Sequence, residues 1–353
     1  MIEGIEDRTV LVTGGAGFIG GHLIASLLAR TRVVCVDKLT YAANRRRLSE
    51  QIANGLEFHE ADVSDRSAMI EIVASCNPQI VFHLAAESHV DRSIDGPADF
   101  IQSNVLGTLT LLEVLLDYWA GVATGIRTRF RMIHVSTDEV FGSASPDEVF
   151  GIKSRYDPRS PYSASKAASD HLVRAWHSTY GLPTIVTNCS NNFGPFQFPE
   201  KLIPHTILRA LEGRSIPVYG DGQHTRDWLH VGDHVAGLLA AASKGTVGST
   251  YLFGARNLVT NLDLVRSICR ELDVLAPGMD PFETRIEFVS DRPGHDRRYA
   301  VDPTSAESEL GWTPAIDFRT GLGSVVRWYV DNLDWCRGLV DAGYTPARIG
   351  VRK

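Results

Sequence analysis

The chain has 353 residues, 44% of them hydrophobic and 22% charged. That size predicts two domains or one large α/β domain with an appended lobe, and the composition lies outside those of disordered and fibrous chains. With 35 Lys and Arg against 42 Asp and Glu the net charge is −7, which argues against nucleic acid or an anionic membrane as the main partner.

Residues 1–8 carry acidic side chains where a secretory signal needs positive charge. No run approaches the ~18 consecutive apolar residues of a membrane helix, so a cytoplasmic protein is expected. Residues 9–13 are a short apolar run ending in glycines. A helical pattern over 17–30 and a second apolar run over 32–36 follow, giving strand, helix, strand. Apolar runs recur at 56–58, 79–84, 130–135 and 184–186, separated by amphipathic stretches of helix length. This alternation predicts a doubly wound parallel sheet of the dinucleotide-binding, Rossmann type. After about Cys189 the chain is broken by Pro195, Pro199, Pro204, Pro217, Pro277, Pro281 and Pro293. Residues 1–188 are therefore expected to form the nucleotide-binding domain. Residues 189–353 should form mainly a smaller, irregular substrate lobe, parts of which can return to the first domain. A peripheral helix and a loose end are expected after Asp334. The five cysteines (Cys35, Cys76, Cys189, Cys269, Cys336) are odd in number and lack CxxC spacing. They read as reduced thiols, with neither a disulfide framework nor a metal site.

Gly14-x-x-Gly17-x-x-Gly20 stands between the first strand and the first helix. Without side chains there, the backbone can turn tightly and approach a pyrophosphate at a helix N-terminus. Asp37 closes the second strand, where it can accept from an adenosine ribose and repel the extra phosphate of NADP, so NAD is favoured. The Arg45-Arg46-Arg47 run reads as a solvated helix start rather than a phosphate site. Asp62, after the third strand, fits the place where an adenine ring is bracketed.

Tyr162 and Lys166 lie four apart at the start of a predicted helix and share a face. A nearby ammonium and a positive nicotinamide should lower the phenol's pKa and make Tyr162 a base for a sugar hydroxyl. The predicted strand before this helix ends Ser136-Thr137-Asp138-Glu139 at the carboxyl edge of the sheet, where such folds bind ligands. Thr137 should share a hydrogen bond with Tyr162 and a substrate hydroxyl. Two adjacent carboxylates at that edge suit an acid and base pair if one is held protonated and the other ionised.

With these residues assembled, the chain resembles the extended short-chain dehydrogenase/reductase superfamily and, within it, the dTDP-glucose 4,6-dehydratases. The resemblance runs from about Thr9 to Trp328. It includes residues 37–42 (Asp-Lys-Leu-Thr-Tyr-Ala), 84–93, 137–139, 191–195 (Asn-Asn-Phe-Gly-Pro), 199–204, 226–228 (Arg-Asp-Trp) and 291–296 (Asp-Arg-Pro-Gly-His-Asp). It implies an NAD-dependent lyase. In such an enzyme Tyr162 takes the proton of the carbon 4 hydroxyl of a nucleotide-bound hexose while NAD accepts the hydride from that carbon, Glu139 takes the carbon 5 proton, and Asp138 protonates the departing carbon 6 hydroxyl. Phe18, Ile19, Lys38, Leu39, Thr40, Val63, Leu84, Ala85, Ala86 and Ser103 would line the cofactor. Ser88, Thr137, Asp138, Glu139 and Asn191 would surround the hexose. Asn192, Lys201, Leu202, Pro217, Tyr219, Arg226, Asn261, Asp291 and His295 would hold the pyrophosphate and nucleoside.

Phe141 and Phe193 stand where this family usually has tyrosine, and Ser103 where threonine is common; none of these removes a proton donor. A 4-epimerase or decarboxylase would share the glycine loop, Tyr162 and Lys166 but would not need Asp138 and Glu139. A non-catalytic NAD-binding regulator would need none of the four side chains. The resemblance also implies a homodimer through helices near Asp99–Trp119 and Tyr162–Tyr180, with Leu109, Leu112, Leu115 and Leu116 facing either the sheet or a partner.

Overall fold

The computed structural model describes residues 5–278 and 280–341. The first four residues and the end of the tail therefore lie outside the described residues. The chain opens with three strand-helix units: β1 (Thr9–Thr13), α1 (Phe18–Leu27), β2 (Arg32–Asp37), α2 (Arg45–Ala53), β3 (Glu57–Glu60) and α3 (Arg66–Cys76). After β4 (Ile80–His83) come α4 (Val90–Asp95) and one continuous helix made of α5 (Pro97–Phe100), a π-helical turn (Ile101–Leu106) and α6 (Gly107–Gly121). The short α7 (Thr124–Arg127) leads to β5 (Arg131–Thr137), and α8 (Pro161–Tyr180) leads to β6 (Thr184–Cys189).

The second half supplies β7 (Asn191–Phe193), α9 (Leu202–Leu211), β8 (Ile216–Tyr219), β9 (Thr225–His230), α10 (Val231–Lys244), β10 (Thr250–Phe253), β11 (Leu258–Thr260), α11 (Asn261–Leu275), β12 (Ile286–Val289), α12 (Phe318–Asp331) and α13 (Leu333–Asp341). Seven strands pair in the order β10-β6-β5-β4-β1-β2-β3, all parallel. This is the doubly wound sheet expected from the alternation of apolar runs. Val10, Leu11 and Val12 are fully buried in succession, as a strand covered by helices on both faces requires. The strand β10 belongs to the large sheet, while β11-β9-β7 and β12-β8 form two small sheets over a separate apolar core that includes Trp228, Leu264 and Tyr329.

Two local features position the site. Ser160 caps α8 in a reciprocal box with Ser163, and Pro161 occupies its first turn; both fix where the helix starts and therefore which way Tyr162 and Lys166 face. The Pro97–Gly121 helix is 25 residues long, enough by length and composition to cross a membrane. It is not an unbroken apolar run, because Asp99, Gln102, Ser103, Asn104, Glu113 and Asp117 interrupt it. Half of its apolar window is buried, and Leu111, Leu112 and Leu115 are fully enclosed against the sheet, so it is a core helix. Leu112 and Leu115 thus face the sheet, and Leu116 packs on the same core, while Leu109 stays half-buried.

Candidate active site

The glycine turn is held by close approach. Gly14 has φ +74°, and a Cβ there would meet the Ala85 nitrogen at 2.6 Å; one on Gly20 would meet the Gly14 carbonyl at 2.3 Å. A Cβ on Gly17 would touch only the Gly14 carbonyl, at 3.3 Å, so that position opens onto a cavity of about 300 Å³. Gly14, Gly17, Phe18, Ile19, Gly20, Asp37, Lys38, Thr40, Val63, Leu84, Ala85, Ala86 and Ser103 line it, and Tyr162 and Lys166 close its far end. Two of the expected cofactor residues do not line it. Leu39 (φ +55°) gives its backbone N–H to Asp37 Oδ1 at 2.8 Å. Asp62 accepts from the backbone and hydroxyl of Ser64, both at 2.9 Å, and pairs with Lys38 at 3.4 Å; its carboxylate shapes the turn instead of facing the cavity. Of the three arginines, Arg46 pairs with Glu50 on the surface, but Arg47 packs over the Phe196 ring at 4.6 Å and burial lowers it to about 10.

At the other end, Thr137 Oγ1 donates to Asp138 Oδ1 at 3.3 Å and accepts from the Glu139 N–H at 3.2 Å, which starts a 3₁₀ turn (Asp138–Phe141) right at the strand end. Asp138 is 2% exposed, and its Oδ2 is buried without a hydrogen-bond partner among the described residues. Burial first, then the negative charges of Glu139 and Asp227, push its carboxyl well above the ordinary range. Glu139 is also raised by burial, but Arg292, Arg226 and Lys201 pull it back down. Both carboxyls are thus raised, but three cations act on Glu139 against Arg226 alone on Asp138, which suits Asp138 to the acid's part and Glu139 to the base's.

The Tyr162 phenol departs from expectation. Burial, then Glu139 and Cys189, push it well above its ordinary value, with a Thr137 hydrogen bond acting the other way. The Lys166 ammonium donates to the Val135 carbonyl at 2.9 Å and not to the phenol, so it anchors α8 to β5 rather than pairing with Tyr162.

Ser88, Asn191, Asn192 and Lys201 line the cavity beside these groups. The Lys201 ammonium donates to the Ser88 carbonyl at 2.9 Å, and Asn191 Oδ1 is buried and unpartnered among the described residues. The Asn192 side chain is used within the protein: its amide donates to the Ser190 carbonyl at 2.9 Å and its oxygen meets His234 Nδ1 at 2.9 Å. Leu202, Pro217, Tyr219, Arg226, Asn261, Asp291 and His295 do not line this cavity. Leu202 starts α9, Pro217 lies in β8, and Asn261 starts α11 with its Oδ1 buried and unpartnered among the described residues. The Tyr219 ring lies 6.2 Å from that of His295, and its hydroxyl donates to Asp91 at 3.3 Å. Arg226 spends two groups on backbone carbonyls, those of Thr225 at 2.9 Å and Asp296 at 2.8 Å, leaving fewer donors for a phosphate than its fork suggests. Asp291 holds His295 at 2.6 Å and His224 at 3.1 Å. This trio has the residue types of a metal site, but the two imidazoles stack at 3.7 Å and 11°, so their in-plane lone pairs run side by side.

Residues 11–325 match the GDP-mannose 4,6 dehydratase family. The chain is 49% identical to the dTDP-glucose 4,6-dehydratase of Escherichia coli, covering 97% of this chain and 99% of that one. The chain belongs to the dTDP-glucose 4,6-dehydratase family. DesIV, a dTDP-glucose 4,6-dehydratase from Streptomyces venezuelae solved with NAD and dTDP, superposes with a TM-score of 0.85 at 41% identity, covering 94% of this chain and 99% of that one. The UDP-glucose 4-epimerase of Thermotoga maritima, solved with UDP-glucose, gives 0.80 at 29%, covering 92% and 99%. The scaffold is thus shared by dehydratases and epimerases, and the acidic pair is where the sequence reading separates them. Several residues of this dehydratase site were not singled out from sequence. Glu87, Cys189 and Glu200 line the cavity, and Arg292 acts on Glu139 while pairing with Asp91 at 2.6 Å. Glu200 and Arg292 sat inside quoted motifs, but nothing in spacing told them from their neighbours.

Proposed function

We propose that this chain converts dTDP-glucose to its 4-keto-6-deoxy product, acting as a hydro-lyase with NAD as resident cofactor. The observation that carries the reading is the Asp138 and Glu139 pair beside Thr137 and Tyr162, at the end of a cavity that begins at the glycine turn. The open face of Gly17 and the Asp37 carboxylate fit NAD, which when bound accepts hydride from sugar carbon 4 and returns it at carbon 6. Tyr162 takes the proton of the carbon 4 hydroxyl, with Thr137 orienting that hydroxyl. The ketone so formed acidifies carbon 5, and Glu139, favoured in its ionised form by Arg292, Arg226 and Lys201, removes the proton there. Asp138, kept protonated by burial, gives its proton to the carbon 6 hydroxyl as it leaves. Glu139 then returns a proton to carbon 5. Asn191 and Lys201 border the hexose, and Tyr219, Arg226, Asn261 and the 291–295 loop form the nucleotide end.

The test is isotopic. Substrate deuterated at carbon 4 should give product deuterated at carbon 6 with solvent hydrogen at carbon 5. Loss of the label to solvent, or its retention at carbon 4, overturns the dehydratase reading.

A homodimer is part of this reading. The exposed Ile101, Leu106 and Tyr180 give the Pro97–Gly121 helix and α8 an apolar outer side suited to a second copy, and a monomer mass in sedimentation would overturn it. The five buried free thiols fit work in the cytoplasm.

A further inference from the structure

Behind the catalytic edge, outside the cavity, one carboxylate ties together the elements that present the reacting groups. Asp170 is fully buried on α8, one turn after Lys166 and on the same face. Its Oδ1 accepts from His134 Nε2 at 3.0 Å. Its Oδ2 accepts from the Tyr156 hydroxyl at 2.8 Å and from Asn188 Nδ2 at 3.1 Å. The same Asn188 amide donates to the Thr137 carbonyl at 3.0 Å, so one side-chain nitrogen bridges Asp170 to the backbone of the residue that orients the substrate hydroxyl. His134 lies on β5 three residues before Thr137, and Asn188 lies on β6 opposite Ser136.

The groups packed around this hub are His83 on β4, His134 on β5, Cys189 on β6, Tyr156 and Arg174 beside Asp170, and Tyr162, Asp138 and Glu139 on the cavity side. Burial pushes both histidines down, His134 to about 4, and pushes the Cys189 thiol up, so none of these three is charged near neutral pH. Burial also pushes against the charge of Asp170, but the His134 hydrogen bond and the Lys166 ammonium more than offset it and hold the carboxyl below its ordinary range. Lys166 in turn is drawn down by burial and held up by Asp170. A buried ammonium next to neutral imidazoles and a neutral thiol needs such an anion to stay charged.

We infer that Asp170 is a positioning residue of the active site: it fixes the end of β5 through Asn188 and His134, and, one turn along the same buried face of α8, it is the anion set behind Lys166. The inference rests on the proposed function, in which Tyr162 takes the carbon 4 proton with Lys166 lining the cavity beside it.

The oxidation step can be isolated in an Asp138→Asn background, where elimination is arrested and nicotinamide reduction by dTDP-glucose is followed by absorbance from about pH 6 to about pH 10. Adding Asp170→Asn should slow this step at least about tenfold with substrate affinity kept within about twofold, and should move the alkaline limb down by roughly one pH unit as Lys166 loses its proton earlier. Asp170→Glu should return the limb towards its original place. Asn188→Ala, which keeps the charge but cuts the tie to Thr137, should slow the step without moving the limb. A uniform loss at every pH in Asp170→Asn, with the limb unmoved, overturns the counter-charge role. If Asp170→Asn does not fold, a full oxidation rate in Asn188→Ala, or an alkaline limb that falls by about one pH unit in Asp170→Glu despite the retained charge, overturns the inference. The two readings fail differently. Normal oxidation in Tyr162→Phe and Lys166→Met sinks the proposed function, whereas normal oxidation in the Asp170 variant beside an impaired Lys166→Met sinks only this one.

Discussion

The Lys166 ammonium donates to the carbonyl of Val135, 2.9 Å away and two residues before Thr137. This bond locks the start of α8 to the strand end and holds Lys166 at the end of the cavity that Tyr162 also lines. Lys166→Met should therefore slow carbon 4 oxidation about 100-fold or more with a nearly unchanged KM, and Tyr162→Phe should slow it by a similar or larger factor. Single-turnover absorbance of the reduced nicotinamide checks both.

The unequal surroundings of Asp138 and Glu139, both raised by burial but with more cations acting on Glu139, predict a bell-shaped pH dependence for elimination. Asp138 must carry its proton, and its raised carboxyl keeps it until the alkaline limb. Glu139 must be ionised, so the rate falls on the acid side as it gains a proton. Asp138→Asn and Glu139→Gln should each cut elimination by about 100-fold or more while some oxidation at carbon 4 persists. Glu139→Gln should also stop solvent hydrogen from entering carbon 5, which mass spectrometry of product formed in heavy water would reveal.

Two glycines in one turn should respond differently to the same methyl group. Gly14→Ala forces an L residue to φ +74° and places its Cβ 2.6 Å from the Ala85 nitrogen, a strain of about 1–3 kcal/mol before any rearrangement. A lower melting temperature and loss of bound NAD should follow. Gly17→Ala meets only the Gly14 carbonyl, at 3.3 Å, so melting of the cofactor-free protein should hardly change while NAD affinity falls. Equal melting losses in the two variants would contradict the assignment of Gly17 to the cofactor side.

His234 is fully buried, donates from Nδ1 to Asn192 Oδ1 at 2.9 Å, and is pushed down to about 3 by burial alone. Its folded pKa lies below the unfolded value of 6.5, so the unfolded state binds the proton first. The neutral imidazole's share of stability is complete above that pH and is lost as pH falls towards 3. Between pH 6.5 and pH 5 the wild type should lose about 1.6 kcal/mol relative to His234→Asn, since the slope reaches its full value of about 1.36 kcal/mol per unit only below the unfolded value. Urea unfolding of both proteins at the two pH values measures the difference.

The sheet and its ligand edge were readable because a parallel strand buried on both faces leaves an unbroken apolar run, and because glycine is the residue that tolerates the Gly14 backbone. Tyr162 and Lys166 were readable from helical spacing. What periodicity does not carry is partner choice. Nothing in spacing says that Lys166 reaches Val135, that Asp62 serves Ser64, that the Asn192 amide is consumed by Ser190, or that Arg226 spends donors on its own backbone, because each depends on a contact between distant segments. Asp170 was invisible for the same reason: an Asp inside a helix pattern looks like any solvated position until His134, Tyr156 and Asn188 are brought around it.

The position of β10 has a consequence for how the molecule comes off the ribosome. While only the chain through β6 has emerged, the N–H and C=O groups along one side of that strand face water; Val186 N–H, for one, finds its acceptor only in the Ser249 carbonyl. Exposed strand edges recruit other strands. A fragment cut at residue 188 should therefore clump rather than stay dispersed, and during translation the nascent sheet needs shielding until Thr250–Phe253 arrives to close it.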